Sequence, residues 1–569
     1  MEMMQDLHTL SDQVEDNQLS TELRSTDPWK KGGRLLSFLL GSNVLLFGGA
    51  LATCVFTEDS DIYEFDFLIF LSIMMVICTL WMFFQMHFTW KYKNAILYKD
   101  CEAGPIWMRG GILIFGIGTL VMVAAKIVSA VQHIHCITPL KIIQPVIQAI
   151  FVIVQTCFLW ISCKHCVQIY LNATRCFLMV LLTVNLIIWI IAVSEESRHL
   201  TFELEKYLLG NSSEGNNISF SAHEDEHESE YKCKCKYRCM DDNRVFSYLY
   251  PFDIEYNLFA AAMLYIMWKN VGRQIDENAP HYHGMGPGLR EHIPLLGLVA
   301  GVSILVIGLV MFIMYEVGTN DHHKHWLSLE AFYIFHVVSL ALMCIANIVG
   351  IVIFRLDKRY MDNEKNPSRT LDMALLLGAA LGQYAISYYS IIAMVSTKPF
   401  NILCGLTLGY SALMIIQHSV QNVFIIEGLH RLPPNILFRH VSSNNSRSSR
   451  PEESINEEKV KDMDRRQSLT GPPRNSSRRM SRRETLSGHI KSHLKKRKTM
   501  KDVYLFLFLC NIIFWIMPAF GARIRFDSGL EVKFYGFTIW AIITNICLPF
   551  GIFYRMHSAA SLLELYSMA

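Results

Sequence analysis

Residues 142–162 read IIQPVIQAIFVIVQTCFLWIS, a stretch of 21 residues without Asp, Glu, Lys or Arg. About 20 apolar residues in helical form cross the roughly 30 Å hydrocarbon core of a bilayer, so this stretch reads as a transmembrane helix. Its exceptional residue is Gln155, in the string Val154-Gln155-Thr156-Cys157-Phe158. A buried amide costs about 1–3 kcal/mol unless it finds partners, so a helix that keeps one at mid-span should turn it toward other protein groups.

Outward from this run the same pattern recurs. Apolar spans fall at 35–56, 67–84, 111–131, 142–162, 176–193 and 245–268, then at 294–314, 332–354, 374–395, 402–426, 503–520 and 537–553. The sixth carries Tyr250, Asp253 and Glu255 in its outer part. Apolar residues make up 52% of the 569, and in a soluble chain of that length they would need several separate cores. The expected fold is therefore an all-α polytopic membrane protein with twelve transmembrane helices in two homologous six-helix halves. The net charge of +2 is uninformative, because the basic residues are unevenly placed.

Their placement sets the orientation. Lys30, Lys31 and Arg34 precede the first span, and most Lys and Arg then fall in alternate loops. Cytoplasmic loops carry that excess, which puts both termini in the cytosol. The expected organisation is a cytosolic N-terminal segment (1–34), an N-terminal half (35–275) and a C-terminal half (276–428 with 503–569). The 194–246 loop is extracellular and carries glycosylation sequons at Asn211 and Asn217; the Asn172 sequon faces the cytosol and stays unmodified. Cys233, Cys235 and Cys239 in that loop suit disulfides, with zinc alongside His223 and His227 as the other reading. Residues 429–502 are basic, Ser-rich and poor in aromatics, and read as a disordered cytosolic loop.

The second half echoes the first. Val420-Gln421-Asn422-Val423-Phe424 in the tenth span repeats the string around Gln155. Asn185-Leu186-Ile187-Ile188-Trp189 in the fifth span is matched by Asn511-Ile512-Ile513-Phe514-Trp515 in the eleventh. Pro251-Phe252-Asp253-Ile254-Glu255-Tyr256 in the sixth is matched by Pro549-Phe550-Gly551-Ile552-Phe553-Tyr554 in the twelfth. Three pairs in the same order indicate an internal repeat. Each echo brings one neutral polar group into the membrane: Gln155, Asn185 and Tyr256, then Gln421, Asn511 and Tyr554. One such residue alone would be glue between helices; a triad occurring twice points instead to a narrow polar path through each half.

The strings Trp29-Lys30-Lys31-Gly32-Gly33-Arg34, Ala103-Gly104-Pro105-Ile106-Trp107-Met108-Arg109, Tyr248-Leu249-Tyr250-Pro251-Phe252-Asp253 and Phe553-Tyr554-Arg555-Met556-His557-Ser558 resemble otopetrins, from about Trp29 onward and outside the two long loops. The second and third vertebrate members look closer than the first. The resemblance implies a plasma-membrane homodimer with barrel-like halves, membrane lipid and a sterol between the halves as partners, and proton influx when the outside is acidic. It implies that the six triad residues constrict the two halves, and that Asp372 is an acidic group tied to internal pH. Where relatives carry Asp in the third span this chain has Val123, which leaves Lys126 without a charge partner in its own helix.

Acid sensing needs groups that titrate near neutral pH. Outward candidates include His133, His135, His199, His322 and His323; membrane-depth candidates are His336, His418, His557, Glu255, Glu330 and Glu427. The function expected is a proton-selective channel, with a proton-coupled secondary transporter as the alternative. Neither a nucleophile–base pair nor a ligand cluster of metal-binding spacing lies within a span, so no enzyme activity, cofactor, metal or nucleic-acid partner is expected.

Overall fold

The computed structural model describes residues 28–54, 60–92, 96–100, 104, 106–132, 138–212, 242–273, 294–319, 325–356, 367–398, 401–431, 477–522 and 528–568. The helices among them are α1 (Pro28–Cys54), α2 (Ser60–Lys91), α3 (Ile106–Gln132), α4 (Leu140–Ser162), α5 (Leu171–Ser212), α6 (Asp242–Asn270), α7 (Leu295–Thr319), α8 (His325–Leu356), α9 (Pro367–Ser396), α10 (Ile402–Leu429), α11 (Ser477–Ala519), the short α12 (Leu530–Tyr535) and α13 (Phe537–Met568). Eleven of these helices are long and apolar enough to cross a membrane. The long helix outside that set is α6, whose Asp253, Glu255 and Asn257 are all buried. Its polar residues turn inward, which lowers its average hydropathy without exposing charge to lipid.

Burial is inverted relative to a soluble protein. Leu46, Leu80 and Ile114 stand 72%, 64% and 62% exposed, whereas Gln155, Asn185, Gln421 and Asn511 are fully buried. Only a hydrocarbon surround makes that distribution favourable.

Two compact units divide the chain, Met1–His283 with Ala519–Gly521 and Gly284–Pro518 with Ala522–Ala569. In the first, neighbouring helices close a ring in the order α1, α2, α4, α3, α6, α5 and back to α1. In the second, α7 packs on α8, α8 on α10, α10 on α9 and α9 on α13. Hydrogen bonds join α13 to α11, and glycines bring α11 against α7, completing the same ring.

Small residues set the closest approaches, as they do wherever lipid removes the hydrophobic drive between helices. A Cβ on Gly48 of α1 would lie 2.4 Å from Ile187 of α5, and one on Gly308 of α7 would lie 2.5 Å from Ile513 of α11. Gly48 and Gly308 are thus equivalent, facing the two isoleucines that the repeat already aligns. At the start of α7 the Gly297 amide donates to Asp502 Oδ1 (2.7 Å), satisfying one of the free N–H groups of a helix N-terminus.

Two expectations need correction. The segment 194–246 is not wholly a loop, because α5 runs on to Ser212 and α6 starts at Asp242. Residues 195–209 are rich in Glu and Leu, good helix formers, and the helix ends two residues past Gly210. The stretch 429–502 is not disordered throughout, because α11 begins at Ser477. Arg, Lys, Leu and Met dominate from there and no proline follows Pro473 until Pro518, so the helix of the eleventh span extends backward without interruption. Two of the connections between helices also contain a short strand. β1 (Ile96–Lys99) pairs antiparallel with β2 (His165–Val167), Lys99 opposite His165. The Asp100 carboxylate then accepts from Asn270 (2.9 Å) and Arg273 (3.2 Å), binding the end of α6 to this clasp.

Candidate functional site

The two triads form inside the two rings. In the first ring α4 and α5 stand opposite each other, so a bond between them crosses the interior. Gln155 on α4 donates from Nε2 to Asn185 Oδ1 (2.8 Å), and Asn185 on α5 returns Nδ2 to Gln155 Oε1 (3.0 Å). The second N–H of Asn185 is held by the Leu181 carbonyl one turn earlier (2.8 Å), which fixes the amide's direction. Tyr256 on α6 completes the group. Its hydroxyl lies 3.4 Å from Gln155 Nε2 and 3.0 Å from Thr156 Oγ1, and donates to the Val152 carbonyl (3.1 Å).

The second ring repeats this arrangement atom for atom. Gln421 on α10 and Asn511 on α11 exchange amide hydrogen bonds at 3.2 Å each way. Asn511 donates back to Leu507 O (2.8 Å), and Gln421 Nε2 lies 3.4 Å from the Tyr554 hydroxyl on α13. Tyr554 meets Asn422 Oδ1 (2.9 Å) and the His418 carbonyl (3.4 Å). Asn422 and His418 stand where the first ring has Thr156 and Val152. All six triad residues have 0% exposure, so each triad is a protein-enclosed hydrogen-bonded group rather than a lipid-facing patch.

The surroundings of the triads differ. Beside the first lies a charged cluster: Lys126 Nζ pairs with Glu195 Oε2 (2.9 Å), Asp253 is within their electrostatic reach, and Asn257 donates to Asp253 Oδ1 (3.0 Å). Lys126, which has no partner in its own helix, finds Glu195 on α5. Beside the second triad lies Arg555. Its Nη1 donates to Gln417 Oε1 (2.9 Å) and to Asn511 Oδ1 (3.2 Å), and its Nη2 meets the Met414 sulfur (3.0 Å). Gln417 in turn donates to Gln421 (2.7 Å). A cavity of about 70 Å³ adjoins Arg555, lined also by His336, Gln383, Tyr410, Phe514 and Thr544. That is room for several waters.

Of the remaining candidates, the structure brings Asp372 and His557 together. His557 Nε2 lies 3.1 Å from the Asp372 carbonyl and 3.9 Å from its carboxylate, both residues buried. His336 sits among the rings of Phe332, Phe335, Tyr410 and Phe514 on the cavity wall. Glu427 pairs with Arg431 one turn on, at 2.6 Å, a local helix-end contact. Glu255 is buried in α6, Glu330 is half-buried near the start of α8, and His418 stacks on Tyr554 at 4.2 Å. Asn211 falls in the last turn of α5. Asn217, Cys233, Cys235, Cys239, His133, His135, His223, His227, His322 and His323 lie outside the described residues, as does the side chain of His199. Among the described residues no group of three or more His, Cys, Asp or Glu is arranged to hold a metal ion.

Sequence reasoning passed over Arg555, Gln417 and the Lys126–Glu195–Asp253 cluster. A signal for Arg555 was present, since it follows Tyr554 directly, two residues past the apolar run 537–553. The cluster gave none, because its three members come from three helices far apart in the chain.

The chain matches the family described as Otopetrin over residues 107–451 and 479–556. It is 44% identical over 549 residues to the proton channel OTOP2 of Homo sapiens, covering 95% of this chain and 96% of that protein. It is 37% identical to the proton channel OTOP3 of Homo sapiens (96% and 87% covered) and 30% identical to the proton channel OTOP1 of Danio rerio (94% and 91% covered). The second and third members are thus the more similar, as the sequence strings indicate.

Proposed function

The chain belongs to the otopetrin family, and from that premise we propose that it is a proton-selective channel in which the two Gln–Asn–Tyr triads constrict the hydrogen-bonded path. The observation that carries this reading is the reciprocal amide pair crossing each ring, with a tyrosine hydroxyl against it.

Amides and phenols both donate and accept, so a proton can be handed along them and along waters that reach them. Sodium or potassium would have to shed its hydration shell, and the constriction supplies no charged or carbonyl ring in exchange. In the closed form each amide pair spends its hydrogen bonds internally. Each such bond contributes only about 1 kcal/mol net, so thermal motion can part the pair and admit water.

The reading includes twelve membrane spans with α6 as the sixth, both termini cytosolic, placement in the plasma membrane, and two halves joined within 274–293. Alternating Lys- and Arg-rich loops support the orientation. Family resemblance supports a homodimer with sterol among its lipids and Asp372 beside His557 as a sensor of internal pH, and the sequons support glycosylation at Asn211 and Asn217.

The test is a whole-cell recording with intracellular pH imaging during a step to external acid, sodium replaced throughout and no solute added. The wild-type chain carries an inward current that acidifies the cytosol and reverses near the proton equilibrium potential. Asn185→Leu combined with Asn511→Leu lowers it at least tenfold at equal surface expression. Wild-type current from that double variant would refute the triads, and a flux that needs an added solute would make the chain a coupled carrier.

A further inference from the structure

Each half of this channel carries one triad, and in both the Asn amide and the Tyr hydroxyl also bond to backbone carbonyls of the triad helices. Their electrostatic settings are opposite. Aligning Tyr256 with Tyr554 places Asn257 opposite Arg555 and Asp253 opposite Gly551. Gln417, the acceptor that steadies Arg555, stands where the first half has Phe151. The C-terminal half has thus gained a guanidinium and a glutamine to hold it, and lacks the carboxylate.

That guanidinium is 3% exposed and touches the triad directly through Asn511. Arginine keeps its proton in proteins. Among the described residues its electrostatic neighbours are the phenols of Tyr554 and Tyr410 and the thiols of Cys510 and Cys344, none of them a carboxylate. The cavity wall it shares carries no Asp or Glu either, and Gly551 is covered by the neutral amide of Gln383. The buried carboxylate of Asp372 faces His557 instead. In the first half the cation of Lys126 is matched by Glu195, with Asp253 adding a further negative charge.

We propose that protons cross this chain through the N-terminal half, and that Arg555 is a fixed electrostatic barrier which keeps the C-terminal triad from conducting. The physics is that of water pores that exclude protons by means of an arginine. A second unit positive charge about 4 Å from the guanidinium is disfavoured roughly a thousandfold at an effective dielectric of 20. Water in the cavity beside the triad can remain hydrogen-bonded there while an excess proton is turned away. Among the described residues the first half has no such cation touching its amides, and its Lys126 is balanced by Glu195. The inference rests on the triads being the constrictions.

The experiment extends the recording above. Asn185→Leu alone reduces acid-evoked current as far as Asn185→Leu with Asn511→Leu, at least tenfold. In the Asn185→Leu background, Arg555→Gln removes the charge while keeping amide donors for Gln417 and Asn511, and current returns at least tenfold through the second half. Met414→Glu reaches the same end with the arginine retained, by setting a carboxylate against Nη2. Arg555→Lys, which keeps the charge, restores nothing. Surface labelling checks that each variant reaches the membrane.

If Asn185→Leu keeps more than half its current and only the double Leu variant is silent, the C-terminal half conducts past its arginine and the assignment is overturned. The assignment also falls if neither Arg555→Gln nor Met414→Glu restores current at normal surface expression. Wild-type current from the double Leu variant takes down the triad reading and this one with it.

Discussion

The triad of α4, α5 and α6 and the triad of α10, α11 and α13 use the same three side chains at nearly the same distances, with different neighbours around them. In the first, the amide pair closes at 2.8 and 3.0 Å and no charged group among the described residues bonds to it; in the second it closes at 3.2 Å each way with a guanidinium on Asn511. Two groups built from the same three side chains therefore need not share an electrostatic setting. Arg555 in place of Asn257, together with Gly551 in place of Asp253, changes the charge beside the tyrosine, and under the proposal above that charge decides the proton path as much as hydrogen-bond geometry does.

The sharpest way to break this contrast is to give the first half the second half's charges. Asp253→Ala with Asn257→Arg places an unneutralised guanidinium beside the first triad, and proton current should fall about a hundredfold or more, given the ~4 kcal/mol between like charges at close range. Asn257→Arg alone should cost less, because Asp253 remains to pair with it. Currents normalised to surface label decide between these outcomes; equal losses from both variants would show that size, not charge, is at work.

A second pair of substitutions tests what the halves share. Gly48→Val and Gly308→Val each force a side chain into an isoleucine already within 2.4–2.5 Å of the new Cβ. Each should lower stability by about 1–3 kcal/mol, and by similar amounts, read as a drop in the melting temperature of detergent-solubilised protein. Unequal drops would mean that the two rings are not held in the same way.

The smallest effect is expected at the β1–β2 clasp, which lies outside the spans of the first half. Burial, assisted by the Lys99 charge, pushes the His165 imidazole below its ordinary value. The folded clasp therefore favours neutral His165. Its stability is complete above the unfolded value of about 6.5 and declines as pH falls below that toward the depressed folded value. Amide exchange in β1 and β2 should quicken as the pH is lowered through this window, and His165→Gln should remove the dependence.

The sequence by itself determined the membrane class, the twofold repeat and all six triad residues. Apolar runs of fixed length and polar groups recurring at matched positions are local signals that survive without coordinates. It could not determine that α5 and α11 extend beyond their apolar cores, since helix propensity acts on a stretch that composition also reads as loop. Nor could it determine the partners of Lys126 or the setting of Arg555. Those depend on which side chains from separate helices meet in one ring, and in a low-dielectric interior it is that meeting, rather than residue type, that decides whether a charge is neutralised or left to repel.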